Sequence, residues 1–277
     1  MTRLLQITDP HIGPPGYIGY GIDPRARLAA CVADINTHYA DADLCVVTGD
    51  LVNAGTDEEY ALLARVLADL RVPYRVIPGN HDRRDGLRRH CAGAIVEEGG
   101  FLQGAIDLPS GRALLLDTLS PGVASGELCD RRLAWLAATL ARDERGVCLF
   151  MHHPPLDLGI DYMDRIGLVD ADRFWSTVAP FRERIDLVAF GHVHRPVCGA
   201  WKGIPFAGCP STAHQVALEL GPRTPPRLHF NHEPPCYAII EHGRGGAIVH
   251  QQRYSENWNV VPRLGKPSRT ARQPDGD

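Results

Sequence analysis

Five apolar runs in this chain each stop at a short polar segment, and that repeated arrangement restricts the fold more than any other feature. The runs are Leu4-Leu5-Gln6-Ile7, Leu44-Cys45-Val46-Val47, Tyr74-Arg75-Val76-Ile77, Val147-Cys148-Leu149-Phe150 and Ile185-Asp186-Leu187-Val188-Ala189-Phe190. They end at Asp9-Pro10-His11, Gly49-Asp50, Gly79-Asn80-His81-Asp82, His152-His153 and Gly191-His192-Val193-His194. Short apolar runs bounded by Gly, Pro or Asp predict buried strands. In an α/β protein ligand sites lie beyond the carboxyl ends of such strands, so the five segments can converge on one cleft. Their donors are carboxylate, amide and imidazole, with no thiolate.

Helical patterns separate the runs. Asp23-Pro24 offers an N-cap with Pro at the first helical position, and Leu28, Cys31, Val32, Ile35 and Tyr39 follow at helical spacing over residues 24–40. Residues 57–71 repeat the pattern with Tyr60, Leu63, Ala64, Leu67 and Leu70, and residues 130–142 with Leu133, Leu136, Ala137 and Leu140. A fourth helix is predicted over 170–181 and a buried strand over 112–118. From 185 onward the pattern turns to short strands, roughly 185–190, 197–201, 204–208, 214–220, 236–241 and 246–252. The whole predicts an α/β chain of two packed mixed sheets flanked by helices. Residues 1–255 are expected to form the working domain. The polar stretch 256–277, with Pro262, Pro267 and Pro274, reads as a tail.

Composition removes some functions. A net charge of −4 and the lack of a basic stripe argue against a nucleic-acid partner. No apolar stretch reaches bilayer length and the start does not resemble a signal peptide, so a cytoplasmic protein is expected. The eight cysteines form no C-x-x-C pair and are expected to be mostly free thiols.

Oxygen and imidazole donors at these spacings read as a dinuclear metal site. Asp9 and His11, like His192 and His194, are one residue apart, so an extended segment points both to one side. Gly49 lets the chain turn sharply before Asp50. Asn80 offers a neutral carbonyl oxygen after a Pro-Gly turn. Two cations about 3.5–4 Å apart activate a water and neutralise phosphoryl oxygens, the task phosphate-ester hydrolysis sets. Mixed donors of this kind leave Fe, Mn, Zn and Co open.

The ordered set D-x-H, G-D, G-N-H-D, H and G-H-x-H, over residues 9 to 194, resembles the calcineurin-like metallophosphoesterases. The resemblance implies a four-layer αββα sandwich and two divalent or trivalent metal ions. Asp9, His11, Asp50 and His194 would hold the first ion; Asp50, Asn80, His152 and His192 the second, with Asp50 as the bridge. Asp50, Asn80 and His81 would be the catalytic residues, His81 facing the substrate without ligating. Gly49-Asp50-Leu51-Val52-Asn53, Met151-His152-His153-Pro154-Pro155 and Thr212-Ala213-His214-Gln215 are similar to segments of bacterial class III cyclic-nucleotide phosphodiesterases and glycerophosphodiesterases. That likeness implies a small phosphodiester substrate, 3′,5′-cyclic nucleotides (cyclic AMP) first, attacked by a hydroxide held at the metals. It also implies a homodimer or higher homo-oligomer and substrate contacts from His81, Asn53, Tyr20 and His214. A glycerophosphodiesterase or phosphomonoesterase is the alternative. A non-catalytic scaffold of the retromer-subunit kind is remote, because such scaffolds lose ligands that are retained here.

Plainer roles are expected elsewhere. His153 should be structural and bonded to backbone, and Asp82 should brace the loop after Asn80. His214 fits a substrate contact and a packed strand histidine equally. His38, His90, His232, His242 and His250 read as ordinary. Arg83, Arg84, Arg88 and Arg89 read as a solvated helix face. Tyr17 and Tyr20 either stack on a substrate or cover the core.

Overall fold

The computed structural model describes residues 1–222, 225 and 227–254; the tail expected from 256 lies outside the described residues. The first elements are β1 (Thr2–Ile7), α1 (Pro24–His38), β2 (Leu44–Thr48), α2 (Asp57–Leu67), β3 (Tyr74–Ile77) and α3 (Arg84–His90). Next come β4 (Gly104–Leu108), β5 (Gly111–Leu115), α4 (Asp130–Ala141), β6 (Val147–Met151), α5 (Asp161–Asp164), α6 (Ala171–Val178) and β7 (Ile185–Phe190). The last are β8 (Val197–Trp201), β9 (Ile204–Gly208), β10 (Gln215–Val216), β11 (Phe230–Asn231), β12 (Cys236–Gly243) and β13 (Gly246–Arg253).

Two mixed sheets result. One has the order β13-β12-β1-β2-β3, the other β4-β5-β6-β7-β9-β8, and β10-β11 form a separate ribbon. β1, β2 and β3 run parallel, as do β5, β6, β7 and β9, with antiparallel strands at the edges. Alternation along each strand makes the layers. Cys45 and Val47 of β2 face Leu28 and Ile35 of α1, while Leu44 and Val46 face the other way. There they meet Cys148 and Phe150 of β6 and Leu187 and Ala189 of β7. Leu149 and Met151 turn outward to Leu136 and Leu140 of α4. A one-residue slip would exchange these faces, so both registers are strongly fixed. The αββα sandwich is thus the fold.

Local chemistry sets the helix starts. Asp23 caps α1 by accepting from Ala26 N, and Thr56 and Glu59 form a reciprocal capping box on α2. Several expected boundaries move. α2 ends at Leu67 rather than 71, because three-residue hydrogen bonds from Asp69 N to Val66 O (3.2 Å) and Leu70 N to Leu67 O (3.1 Å) tighten its last turn. The expected helix 170–181 is α6, followed by a 3₁₀ turn over Ala179–Arg184. β5 stops at Leu115, releasing Asp117 and Thr118 as supports for the cleft. The expected strand 214–220 shrinks to β10, since its partner β11 is only two residues long.

The basic run is also corrected. Arg84 is not solvated: its guanidinium makes a two-pronged pair with the fully buried Asp117, at 2.7 and 2.8 Å. Phe101 has the guanidinium groups of Arg84 and Arg132 at 5.1 and 4.7 Å from its ring centre. Arg83 and Arg89 pair with Asp85 and Asp57 at the surface.

Candidate metal centre

The carboxyl ends of the parallel strands from both sheets meet on one side of the sandwich. β1 leads to Asp9 and His11, β2 to Asp50, and β3 to Asn80 and His81; β6 leads to His152, β7 to His192 and His194, and β9 to His214. The loops lock to each other: Asp9 N donates to Gly49 O (3.1 Å) and His11 N to Asp50 O (3.0 Å). Asp9, His11, Asp50, His192 and His194 all have positive φ, between 45° and 68°. For residues other than glycine that conformation costs of order 1–3 kcal/mol each and persists only where surroundings enforce it. Three glycines of the motifs allow the crowding. A Cβ on Gly49 would strike the His152 ring, one on Gly79 the Asp50 carboxylate, and one on Gly191 the Thr8 hydroxyl.

Two donor groups share Asp50. On one side, His194 Nε2 is 3.2 Å from Asp9 Oδ1 and 3.2 Å from His11 Nε2, which lies 3.7 Å from Asp50 Oδ2. On the other, His152 Nε2 is 3.4 Å from Asp50 Oδ1. Asp9 Oδ1, Asn80 Oδ1, His152 Nε2 and His192 Nε2 are buried without a hydrogen-bond partner. Leaving a buried polar atom unmade costs about 1–3 kcal/mol, so four such atoms aimed at one place call for an occupant. Donors each about 2.0–2.2 Å from one cation stand roughly 3–3.5 Å apart; the separations of 3.2 and 3.4 Å here match, and His11 to Asp50 at 3.7 Å is slightly wider. The residues therefore fit a pair of metal ions.

The surroundings fix which ring nitrogens face inward. His152 Nδ1 donates to Thr48 O and His194 Nδ1 to His214 O, both at 2.8 Å, leaving each Nε2 lone pair toward the cage. Asp9 Oδ2 accepts from Thr8 Oγ1 (2.7 Å) and His192 N (3.0 Å), so Oδ1 is the free lobe. Burial alone would raise the Asp9 carboxyl, but His194 and His152 outweigh it and hold it at about 2. Asp50 is likewise held well below the usual carboxylate range against its burial, by His152 and His11. Burial drops His11 and His192 to about 3. For His152 burial pulls down, yet Asp50 and Asp9 lift it to about 9. His194 rises too, against its burial, through Asp9. In the metal-free protein His152 and His194 are thus held protonated beside the two buried carboxylates, and their Nε2 lone pairs become available once those protons are displaced.

Around the cage the expected residues separate. His81 N donates to Asp50 Oδ1 (2.9 Å), its Nδ1 donates to Asn53 O (2.7 Å), and its half-exposed ring presents Nε2 to the cleft 4.0 Å from Asp50 Oδ2. Asn53 also receives the Tyr17 hydroxyl at 3.4 Å, and the Tyr17 ring packs between Gly13 and Gly19. Asp82 braces the loops as expected, accepting from Gly79 N (2.9 Å) and Leu51 N (3.1 Å). His153 uses both nitrogens on Thr118 Oγ1 (2.8 Å) and Ala124 O (3.1 Å), so it has no lone pair to give. His214 lines the cleft, its ring centre 4.7 Å from that of His194, and burial pushes it down to about 2.

The cleft over the cage has a volume of about 170 Å³ and is lined by His81, Asn53, Tyr20 and His214 together with apolar residues the sequence did not mark. Those are Tyr162, Met163, Ile166, Leu228 and Phe230. Thr8, Thr48 and Ser211, whose hydroxyl donates to Asp9 O (2.7 Å), were also missed. Thr8 and Thr48 adjoin the Asp9 and Gly49-Asp50 motifs, a signal that was available. Among the described residues no helix is long and apolar enough to cross a membrane, and all eight cysteines are free.

Comparison with known proteins places this geometry. The profile of the calcineurin-like phosphoesterases matches residues 2–196. The chain is 38% identical over 253 residues to a probable cyclic nucleotide phosphodiesterase of Rhodopseudomonas palustris, covering 90% of this chain and 91% of that protein. It is 35% identical over 240 residues to a probable glycerophosphodiester phosphodiesterase of Arcobacter nitrofigilis, covering 85% and 87%. The fold is similar to a purple acid phosphatase from yellow lupin seeds, at a TM-score of 0.60 and 14% identity, over 93% of this chain and 52% of that one. The chain belongs to the calcineurin-like phosphoesterase family.

Proposed function

We propose that this protein hydrolyses small phosphodiesters, 3′,5′-cyclic nucleotides foremost, at a pair of metal ions held by the seven donors. Asp9, His11, Asp50 and His194 would hold one ion and Asp50, Asn80, His152 and His192 the other; Fe, Mn, Zn and Co all suit these donors. When bound, such a pair supplies an activated water and positive charge for the phosphoryl oxygens. The observation that carries the reading is the four buried, partnerless donor atoms around Asp50. Names borne by the relatives support the diester class.

The chain's own residues then divide the work. Asp50 offers one oxygen to each donor group and so fixes their spacing. Asn80 orients the phosphoryl group from the floor of the cleft. His81, anchored through Nδ1 on Asn53 O, directs Nε2 toward the departing ester oxygen and can give it a proton. Asn53, Tyr20 and His214 surround the rest of the substrate. The working unit is residues 1–255, as a cytoplasmic homodimer.

A glycerophosphodiester substrate is the second reading, favoured by the Arcobacter nitrofigilis relative. One substrate panel on metal-reconstituted protein decides between them. It compares 3′,5′- and 2′,3′-cyclic nucleotides, glycerophosphodiesters, bis(4-nitrophenyl) phosphate and a monoester. The highest kcat/KM is expected for a 3′,5′-cyclic nucleotide; a monoester in first place would overturn the diesterase reading.

A further inference from the structure

Tyr20 occupies a position that a tyrosine should avoid. Gly19 and Ile22 exchange both backbone hydrogen bonds at 2.9 Å, and the two residues between them, Tyr20 and Gly21, have φ of 52° and 81°. That is the pattern of a tight turn whose first central position is ordinarily Asn, Asp or Gly. A bulky side chain at positive φ is a strained outlier, and such outliers cluster where a ligand is gripped.

The turn is held in place by the segment around β11. His232 Nε2 donates to Tyr20 O at 2.6 Å. The Tyr20 ring lies 4.3 Å from the Phe230 ring and 4.5 Å from that of His214, yet the residue keeps 54% of its surface exposed. Tyr20 lines the cleft together with Tyr162, Ile166 and Leu228. On the cleft side this wall is built of the uncharged Tyr162, Ile166, Leu228 and Phe230, while the charged Asp161, Glu219 and Arg227 line an adjoining hollow that shares Tyr162 and Leu228. An ammonium or carboxylate laid against it would be desolvated without a partner, whereas a flat uncharged ring would not.

We propose that the Tyr20 turn and the wall of Tyr162, Ile166, Leu228 and Phe230 form a specificity clamp. It selects an ester arm that is a planar uncharged ring, such as a nucleobase, and rejects charged head groups. This deepens the diesterase reading and rests on it. The clamp acts on binding, so its test does not depend on turnover.

Titration calorimetry on the metal-loaded full chain compares adenosine 5′-monophosphate with glycerol 3-phosphate, two phosphate dianions differing in the arm. Stacking on one aromatic face predicts roughly tenfold tighter binding of the nucleotide. Tyr20→Asn should erase that preference, leave the glycerol 3-phosphate Kd within about twofold, and keep or raise Tm, since Asn tolerates the turn. Leu228→Glu should tighten phosphocholine relative to glycerol 3-phosphate by placing an anion on the wall. Equal wild-type affinities would overturn the clamp, as would a preference that survives Tyr20→Asn, or phosphocholine binding unmoved by Leu228→Glu. Turnover of bis(4-nitrophenyl) phosphate, measured in parallel, reports separately on the diesterase reading. A nucleotide preference without turnover sinks that reading alone, and turnover without the preference sinks the clamp alone.

Discussion

The metal-facing half of the cleft and its apolar half are held by different means. The first is made of side chains on strand ends, buried and cross-bonded, with backbone strain at Asp9, His11, Asp50, His192 and His194 enforced by both sheets. The second is made of α5, a two-stranded ribbon and the loop carrying Tyr20; Tyr20, Tyr162, Leu228 and Phe230 are half-buried or exposed, while Met163 and Val216 are buried. One half has little freedom to change; the other can change composition without disturbing a strand. The proposed function puts chemistry on the rigid half, and the proposed clamp puts selection on the adaptable one.

Substitutions should divide along the same line. The largest effect is expected for Asp50→Ala, which removes the group shared by both donor sets. It should cut kcat by on the order of 10³-fold or more and deplete bound metal, measured by elemental analysis beside the rate. A variant that keeps two metals and normal turnover would break the comparison. His81→Ala stands one step out, lining the cleft and touching Asp50 and the edge of the His11 ring. It should retain both metals and slow alkyl diesters by about 10²-fold or more, with less loss for nitrophenyl esters, whose leaving groups need no proton. Equal losses for the two ester classes would remove the acid role.

These expectations were legible unevenly in the sequence. The cage was readable because each donor follows an apolar run directly, so position along the chain reports position in space. Asp50 needs no knowledge of loops to be found. Tyr162, Ile166, Leu228 and Phe230 gave no such sign. They are apolar residues in a one-turn helix, a two-residue strand and loops, elements too short to carry a periodicity that separates them from core, and only tertiary contact turns them toward the cleft. Arg84 was misread for a related reason. Its neighbours Arg83 and Arg89 do face solvent, and nothing local foretells that Asp117, more than thirty residues away, will be buried beneath it. β12 and β13 joining the N-terminal sheet is likewise a long-range pairing that strand periodicity alone does not order.

The smallest expected effect is on stability against pH in metal-free protein. His152 is raised to about 9, from an ordinary 6.5, so the stability it contributes is present below pH 6.5 and lost as pH rises toward 9. His194 shifts the same way. His11 and His192 are lowered to about 3; the unfolded chain takes up their protons first, so stability falls as pH drops from 6.5 toward 3. Thermal unfolding of metal-free protein should therefore be most resistant near pH 6.5, and metal loading should displace protons and shift the optimum upward. A metal-free optimum near pH 9 would contradict the charges assigned to the cage.

Anomalous diffraction from crystals loaded with manganese, iron or zinc addresses the cage itself. The proposed paired centre predicts two peaks about 3.5–4 Å apart beside the Asp50 carboxylate. A single peak there, or metal bound only elsewhere on the molecule, would contradict the paired centre.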